Sequence, residues 1–181
     1  MRSKTRVLAL LLTLLVMVTA VGVHAQDDEL TATYVSTGPI GVNPFLQLIA
    51  DGLVRGGKDF GIKTLVVESA DISVLEDNLR AEIDAGTDLI VTNSFDSLDA
   101  VSRLSAEYPD QKWAIVDAVL PDNPNVRGIL FKEHEGTFLL GAIFGSLTET
   151  GTVGFVGAFD IPLIRRWFVG YQEGVLYTNP D

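Results

Sequence analysis

The chain has 181 residues, 24 acidic side chains against 13 basic ones, a formal net charge of −11 and no cysteine. The missing cysteines exclude disulfides, a thiolate zinc site, a thiol nucleophile and a lipid-modified N-terminal cysteine. The acidic balance argues against nucleic acid or an anionic membrane as a partner, since both need clustered lysine and arginine.

The chain begins with Arg2, Lys4 and Arg6, followed by an apolar run from Val7 to Val23, then Val23-His24-Ala25 and the acidic start "QDDE". Basic, apolar and small-residue regions in that order predict a secretory signal peptide over 1–25, cleaved after Ala25; an uncleaved N-terminal anchor is the alternative. Loss of the three basic residues takes the formal charge from −11 to −14. About 155 residues remain, enough for one sizeable core. A mature protein free beyond the inner membrane, periplasmic or associated with the cell surface, is the expectation.

From Leu30 onward short apolar strands alternate with helical patterns. In chain order "LTATYVS" predicts a strand, "PFLQLIADGLVRGGKDFG" a helix, "IKTLVVES" a strand, "SVLEDNLRAEIDAG" a helix and "DLIVTN" a strand. The helix "LDAVSRLSAEYP", the strands "KWAIVDAV" and "VRGILF", the helix "HEGTFLLGAIFGSLTETG", the strand "TVGFVGAF" and a last helix from about Ile161 complete the series. Nearly continuous apolar strands between helices predict a doubly wound, mostly parallel α/β sheet with both faces covered. Along the last helix Ile164, Phe168, Tyr171 and Val175 form the expected core stripe, with Trp167 on its shoulder, in the row of Leu163, Gly170 and Gly174. The ending "GYQEGVLYTNPD", with no closing strand, suggests a sequence cut short.

In open parallel sheets ligands sit outside the carboxyl ends of the strands. That places the candidate residues in 36–45, 68–71, 93–96, 117, 132–135 and 159–167. Catalytic readings lack parts: His134 is the only histidine after Ala25, no G-x-S-x-G elbow is present, and the P-loop-like "GLVRGGKD" ends in Asp59 and closes a helix. His134, beside Glu133 and Glu135 near a helix start, is expected to be structural. What remains is aromatic and hydrogen-bonding side chains without a nucleophile: Asn43, Phe45, Asn93, Ser94, Asp117, Asp160 and Trp167. Aromatic faces sandwich flat ligand surfaces while carboxylates and amides meet hydroxyls, which suits a nucleoside or a sugar. Neither a metal nor a cofactor is expected. Simpler roles stand beside these: Asn43 as an N-cap with Pro44 at N1, Asp96 as a cap of the third helix, Asp160 as a cap of the last helix, Phe45 as core, and Arg165-Arg166 as a solvated face.

The segment "NVRGILFKEHEGTFLLGAIFGSLTETGTVGFVGAFDIPLIRRWFVGY" resembles the basic membrane protein family of ABC-transporter substrate-binding proteins, the purine nucleoside receptor A-like group, in its "KEHEG" and "DIP" motifs. "EYPDQKWAIVDAV" is similar to the family's preceding segment. The resemblance implies a type I periplasmic-binding-protein fold, two α/β lobes closing about a hinge, here a first lobe over 26–131 and the start of a second over 132–181. By position it puts base-stacking aromatics on Phe45 and Trp167 and a hydroxyl-binding acid on Asp160, with Asp117 and Asn93-Ser94 completing the cleft. The implied partners are a nucleoside-like or sugar-type small molecule and ABC permease subunits; a sensor for a membrane receptor and a hydrolytic or transfer enzyme using His134 are alternatives. Ser36-Thr37 and Leu46 depart from the family pattern, which carries an aspartate and an asparagine there.

Overall fold

Residues 29–180 are described by the computed structural model; the leader and the cleavage point after Ala25 lie outside them. Five strands form one parallel sheet: β1 (Thr31–Val35), β2 (Lys63–Val67), β3 (Leu89–Asn93), β4 (Lys112–Val116) and β5 (Val126–Ile129), in the order β2-β1-β3-β4-β5. Helices α1 (Pro44–Phe60), α2 (Leu75–Asp84) and α3 (Leu98–Glu107) cross over between the first four strands. The strand order reverses between β1 and β3, the place where an open sheet leaves a crevice at its carboxyl edge.

The side-chain alternation of the strands divides the interior into two cores. Tyr34, Val91, Ala114 and Val116 pack with Ile40, Leu46 and Ala50 of the α1 side. Val35, Ile90, Trp113 and Ile115 pack with Leu75, Leu79, Val101 and Leu104 of α2 and α3. Helix ends follow the expected punctuation. Asn43 caps α1 by accepting from the Phe45 amide at 3.0 Å, Pro44 occupies the first helical position, and Gly61 closes the helix at φ 67°. Gly86, at φ 76°, follows α2 in the same way. The P-loop-like stretch lies inside α1, where its amides are committed to the helix.

No helix separates β4 from β5. The loop 117–125 turns at Asp117 (φ 65°) and Asp122 (φ 58°), a left-handed conformation that aspartate tolerates better than most residues. Asn125 locks its return, its Nδ2 donating to the carbonyls of Ser105, Tyr108 and Gln111.

Beyond β5 the chain forms an antiparallel helix pair, α4 (Glu133–Leu147) and α5 (Pro162–Thr178). Two sequence expectations fail here. "TVGFVGAF" is not a strand: the segment is irregular, none of the described strands pairs with it, and Val156 is 98% exposed. A strand exists only through a neighbour's hydrogen bonds, which its own sequence does not supply. The buried face of α5 is the glycine row rather than the stripe of Ile164, Phe168, Tyr171 and Val175. Gly170 and Gly174 are its buried residues, and a Cβ on Gly174 would collide with the Phe138 carbonyl of α4. Small residues on both helices, Gly141 and Gly145 facing them, let the backbones touch. The expected stripe instead meets Phe155, whose ring lies 5.6 Å from Phe168 and 5.7 Å from Tyr171.

Candidate functional site

The carboxyl edge of the sheet faces the start of α4 and the first turns of α5. On the α1 side a groove of about 900 Å³ runs along the sheet face, its strand-end rim formed by Phe45, Phe131, Asp117, Glu133 and Trp167. Its floor is apolar, made by Leu89, Val91, Ala114, Val116 and Ile129. On the other side a cavity of about 560 Å³ lies between Phe95, Asp96, Asp99, Asp117, Pro162 and Arg166. Asp117 belongs to both, at the turn that ends β4.

Electrostatics concentrate at that turn. Burial holds the Asp117 carboxyl above the usual carboxylate range; the neighbouring charge of Glu133 pushes the same way, and Arg166 pulls back. Arg166 reaches Glu133 with Nη2 to Oε2 at 3.5 Å. The Glu133 side chain is only 9% exposed, and its Oε1 is buried with no hydrogen-bond donor among the described residues.

The other expected site residues divide. Phe45 and Trp167 line the same groove, and Trp167 is 37% exposed, so a face of the indole is open. Asn93 is 2% exposed and turned into the fold. Its Oδ1 accepts from the Tyr34 hydroxyl at 2.9 Å and the Thr37 amide at 3.4 Å, while its Nδ2 donates to Thr37 Oγ1 at 3.0 Å. Ser94, at φ 70°, donates from Oγ to Asp96 at 3.1 Å. Asp96 therefore does not cap α3, whose N-cap is Ser97 with no side-chain bond; a 3-10 turn over Phe95–Ser97 occupies the place the cap would need. Asn43 is spent on its helix cap. Asp160 does not cap α5 either, because Ile161 holds the N-cap position. Its exposed carboxylate instead forms a two-pronged pair with Arg165, Nε to Oδ1 at 2.5 Å and Nη2 to Oδ2 at 2.8 Å, which holds it below the usual range. Neither arginine of "RRW" is simply solvated, since Arg165 pairs with Asp160 and Arg166 with Glu133.

The departures from the family pattern are accounted for locally. Ser36 is fully buried, donating to the Gly38 carbonyl at 2.7 Å and accepting from the Ser69 amide at 3.2 Å. Leu46 is a core residue beneath α1, 5% exposed. His134, the second residue of α4, is exposed and lines a groove between α4 and α5, not the groove at the sheet. Among the described residues no group of three or more histidine or acidic side chains converges as a metal site would need. Glu133 and Arg166 fell within the strand-end segments of the sequence but carried no signal of their own. Their pairing joins residues 33 positions apart and is a product of the helix crossing.

Comparison with known proteins agrees with this architecture. Residues 30–181 match the family described as ABC transporter substrate-binding protein PnrA-like. Basic membrane protein A of Borreliella burgdorferi is 32% identical over 140 residues, 76% of this chain and 41% of the relative. The ABC transporter nucleoside-binding protein BmpA of Lactococcus lactis subsp. cremoris is 29% identical over 147 residues, 78% of this chain and 42% of that protein. Among solved structures, an ABC transporter solute-binding protein from Aeropyrum pernix K1 superimposes with a TM-score of 0.70 at 29% identity, over 83% of this chain and 44% of that one. The chain thus spans less than half the length of these three relatives, and its fold is of the periplasmic-binding type. With a family match across nearly all of the described residues and a superposable parallel sheet, the chain belongs to the PnrA-like family of ABC transporter substrate-binding proteins.

Proposed function

We propose that this chain forms the first lobe, over 26–131, and the opening of the second, from 132, of an extracytoplasmic solute-binding protein. It captures a nucleoside-like small polar ligand between the lobes and presents it to the permease of an ABC importer. The observation that carries this reading is the rim of the groove: two aromatic side chains, Phe45 and Trp167, and two carboxyls, Asp117 and Glu133, around one opening at the carboxyl edge of the sheet. Aromatic faces take a base, carboxyls take its donors or those of a sugar, and no nucleophile stands among them. The nucleoside-binding name of the Lactococcus lactis relative supports the ligand class. Closure about the segment after β5 brings α4 and α5 over the strand ends and shuts water out.

Asn93, Asn43 and Asp160 act at one remove in this reading. Asn93 fixes the turn after β1, Asn43 starts α1 and so aims Phe45, and Asp160 pairs with Arg165 beside the entrance. Segment 1–25 directs export and is removed in the process, and among the described residues no helix is long and apolar enough to cross a membrane. Calorimetry against guanosine, adenosine and ribose, extended to millimolar concentrations, tests the ligand class. Binding of a nucleoside in preference to ribose is expected; no heat from either nucleoside contradicts the assignment.

A further inference from the structure

Glu133 opens α4, and its side chain is nine-tenths buried in the rim of the groove beside Asp117 and Trp167. Its Oε2 has the long contact to Arg166, at 3.5 Å, and its Oε1 receives no donor from the described protein. A second carboxyl, that of Asp117, lines the same rim, close enough for the charge of Glu133 to hold it above the ordinary range. Two acids served by one distant cation make a site short of donors, and a buried carboxylate oxygen without a donor is strongly unfavourable. Such a pair is satisfied either by a proton that one acid keeps and gives to the other, or by N–H or O–H groups arriving from outside.

We propose that Glu133 is a specificity-determining ligand contact: with Asp117 it forms a two-carboxyl clamp at the cleft mouth that grips two adjacent hydrogen-bond donors on one edge of the ligand. The proposal rests on the ligand-binding reading of this cleft and narrows it. An aminated heterocycle and a vicinal diol both present paired donors, and a carboxylate is a strong acceptor for either. Burial and the neighbouring charge of Glu133 hold the Asp117 carboxyl above the ordinary aspartate range. The charged groups around it are Glu133 from α4, Arg166 from α5, Asp99 from the first turn of α3 and Asp96 from the 3-10 turn before it. An N–H or O–H donor is held best by the ionised carboxyls, so affinity rises with pH through the raised Asp117 titration.

Carboxyl-carbon NMR on the full chain and on E133Q, with benzamidine and guanosine as probes, tests this. Benzamidine carries two adjacent N–H donors on an aromatic ring and makes no assumption about nucleosides. Expected are shifts of the Asp117 and Glu133 signals on adding benzamidine, binding at least tenfold weaker in E133Q, and a lower Asp117 titration midpoint in that variant. Thermal melts confirm that E133Q is folded. Comparing guanosine with 2′,3′-dideoxyguanosine tells a base edge from a diol as the source of the donors. Benzamidine without effect on either carboxyl overturns the clamp. Guanosine bound equally by E133Q and wild type also overturns it while leaving the nucleoside reading intact. Benzamidine bound through both carboxyls with guanosine inert upholds the clamp and removes the nucleoside.

Discussion

Replacing Asn93 by alanine probes the junction between fold and cleft. The Asn93 amide satisfies the hydroxyl of Tyr34, a residue with no exposed surface, and two groups of Thr37, which is only partly buried. Burial alone already pushes the Tyr34 hydroxyl far above its ordinary pKa, so an ionised phenolate is no escape when its acceptor is lost. The Thr37 groups can regain water, whereas the Tyr34 hydroxyl cannot. A stranded buried hydroxyl costs about 1–3 kcal/mol and each lost net hydrogen bond about 1 kcal/mol, giving a loss of about 2–4 kcal/mol for Asn93→Ala. With a urea m-value of about 2 kcal/mol per molar, the unfolding midpoint should fall by about 1–2 M. A double-mutant cycle sharpens the attribution. In a Tyr34→Phe background no hydroxyl is stranded, so Asn93→Ala should cost about 1–2 kcal/mol less than in the wild type. A midpoint within about 0.3 M of wild type, or a coupling energy near zero, would refute the structural role assigned to this side chain.

The helix pair predicts opposite outcomes for two glycines: Gly174→Ala, where a Cβ meets the Phe138 carbonyl, should destabilise by about 1–3 kcal/mol. Gly136→Ala, in α4 with open space around it, should stabilise by about 0.5–1 kcal/mol; thermal melts of both variants check this. Asn43→Ala removes the α1 cap and should cost about 1 kcal/mol in urea unfolding, a cost that serine at 43 largely recovers. The folded-state pKa of Asp117 is raised, so its contribution to stability is present in acid and is lost as pH rises through the raised range. Arg166→Ala should move that window to still higher pH, because Arg166 is the group that opposes the shift; an Asp117 carboxyl titration unmoved by the substitution contradicts the arrangement.

What the sequence made legible was local. Continuous apolar runs marked β1 to β4, Asn43-Pro44 marked the start of α1, and glycines such as Gly86 marked a helix end, because each signal is complete within a few residues. The core face of α5 was misjudged because hydrophobic periodicity assumes that large side chains make the contact. Here glycines on two helices let the backbones do so. Asp160 fitted a cap by position, but the bidentate reach of Arg165 outcompeted the helix amides for it. "TVGFVGAF" had strand composition without a partner. At the candidate site, position relative to strand ends located Asp117, Phe45 and Trp167 around one groove. The inward turn of Asn93 and the burial of Glu133 depend on contacts between distant segments and left no mark in the sequence.

Tryptophan fluorescence tests the central claim most directly, because the two tryptophans report on different places. Trp113 is sealed in the core beneath α2 and α3, 1% exposed, while Trp167 stands at the rim of the groove, 37% exposed. Titration with guanosine should give a saturable change in emission that the Trp167→Ala variant loses while its remaining Trp113 signal stays constant. A flat titration in the wild type, or a saturable change that survives in Trp167→Ala, would contradict a ligand stacked at this cleft.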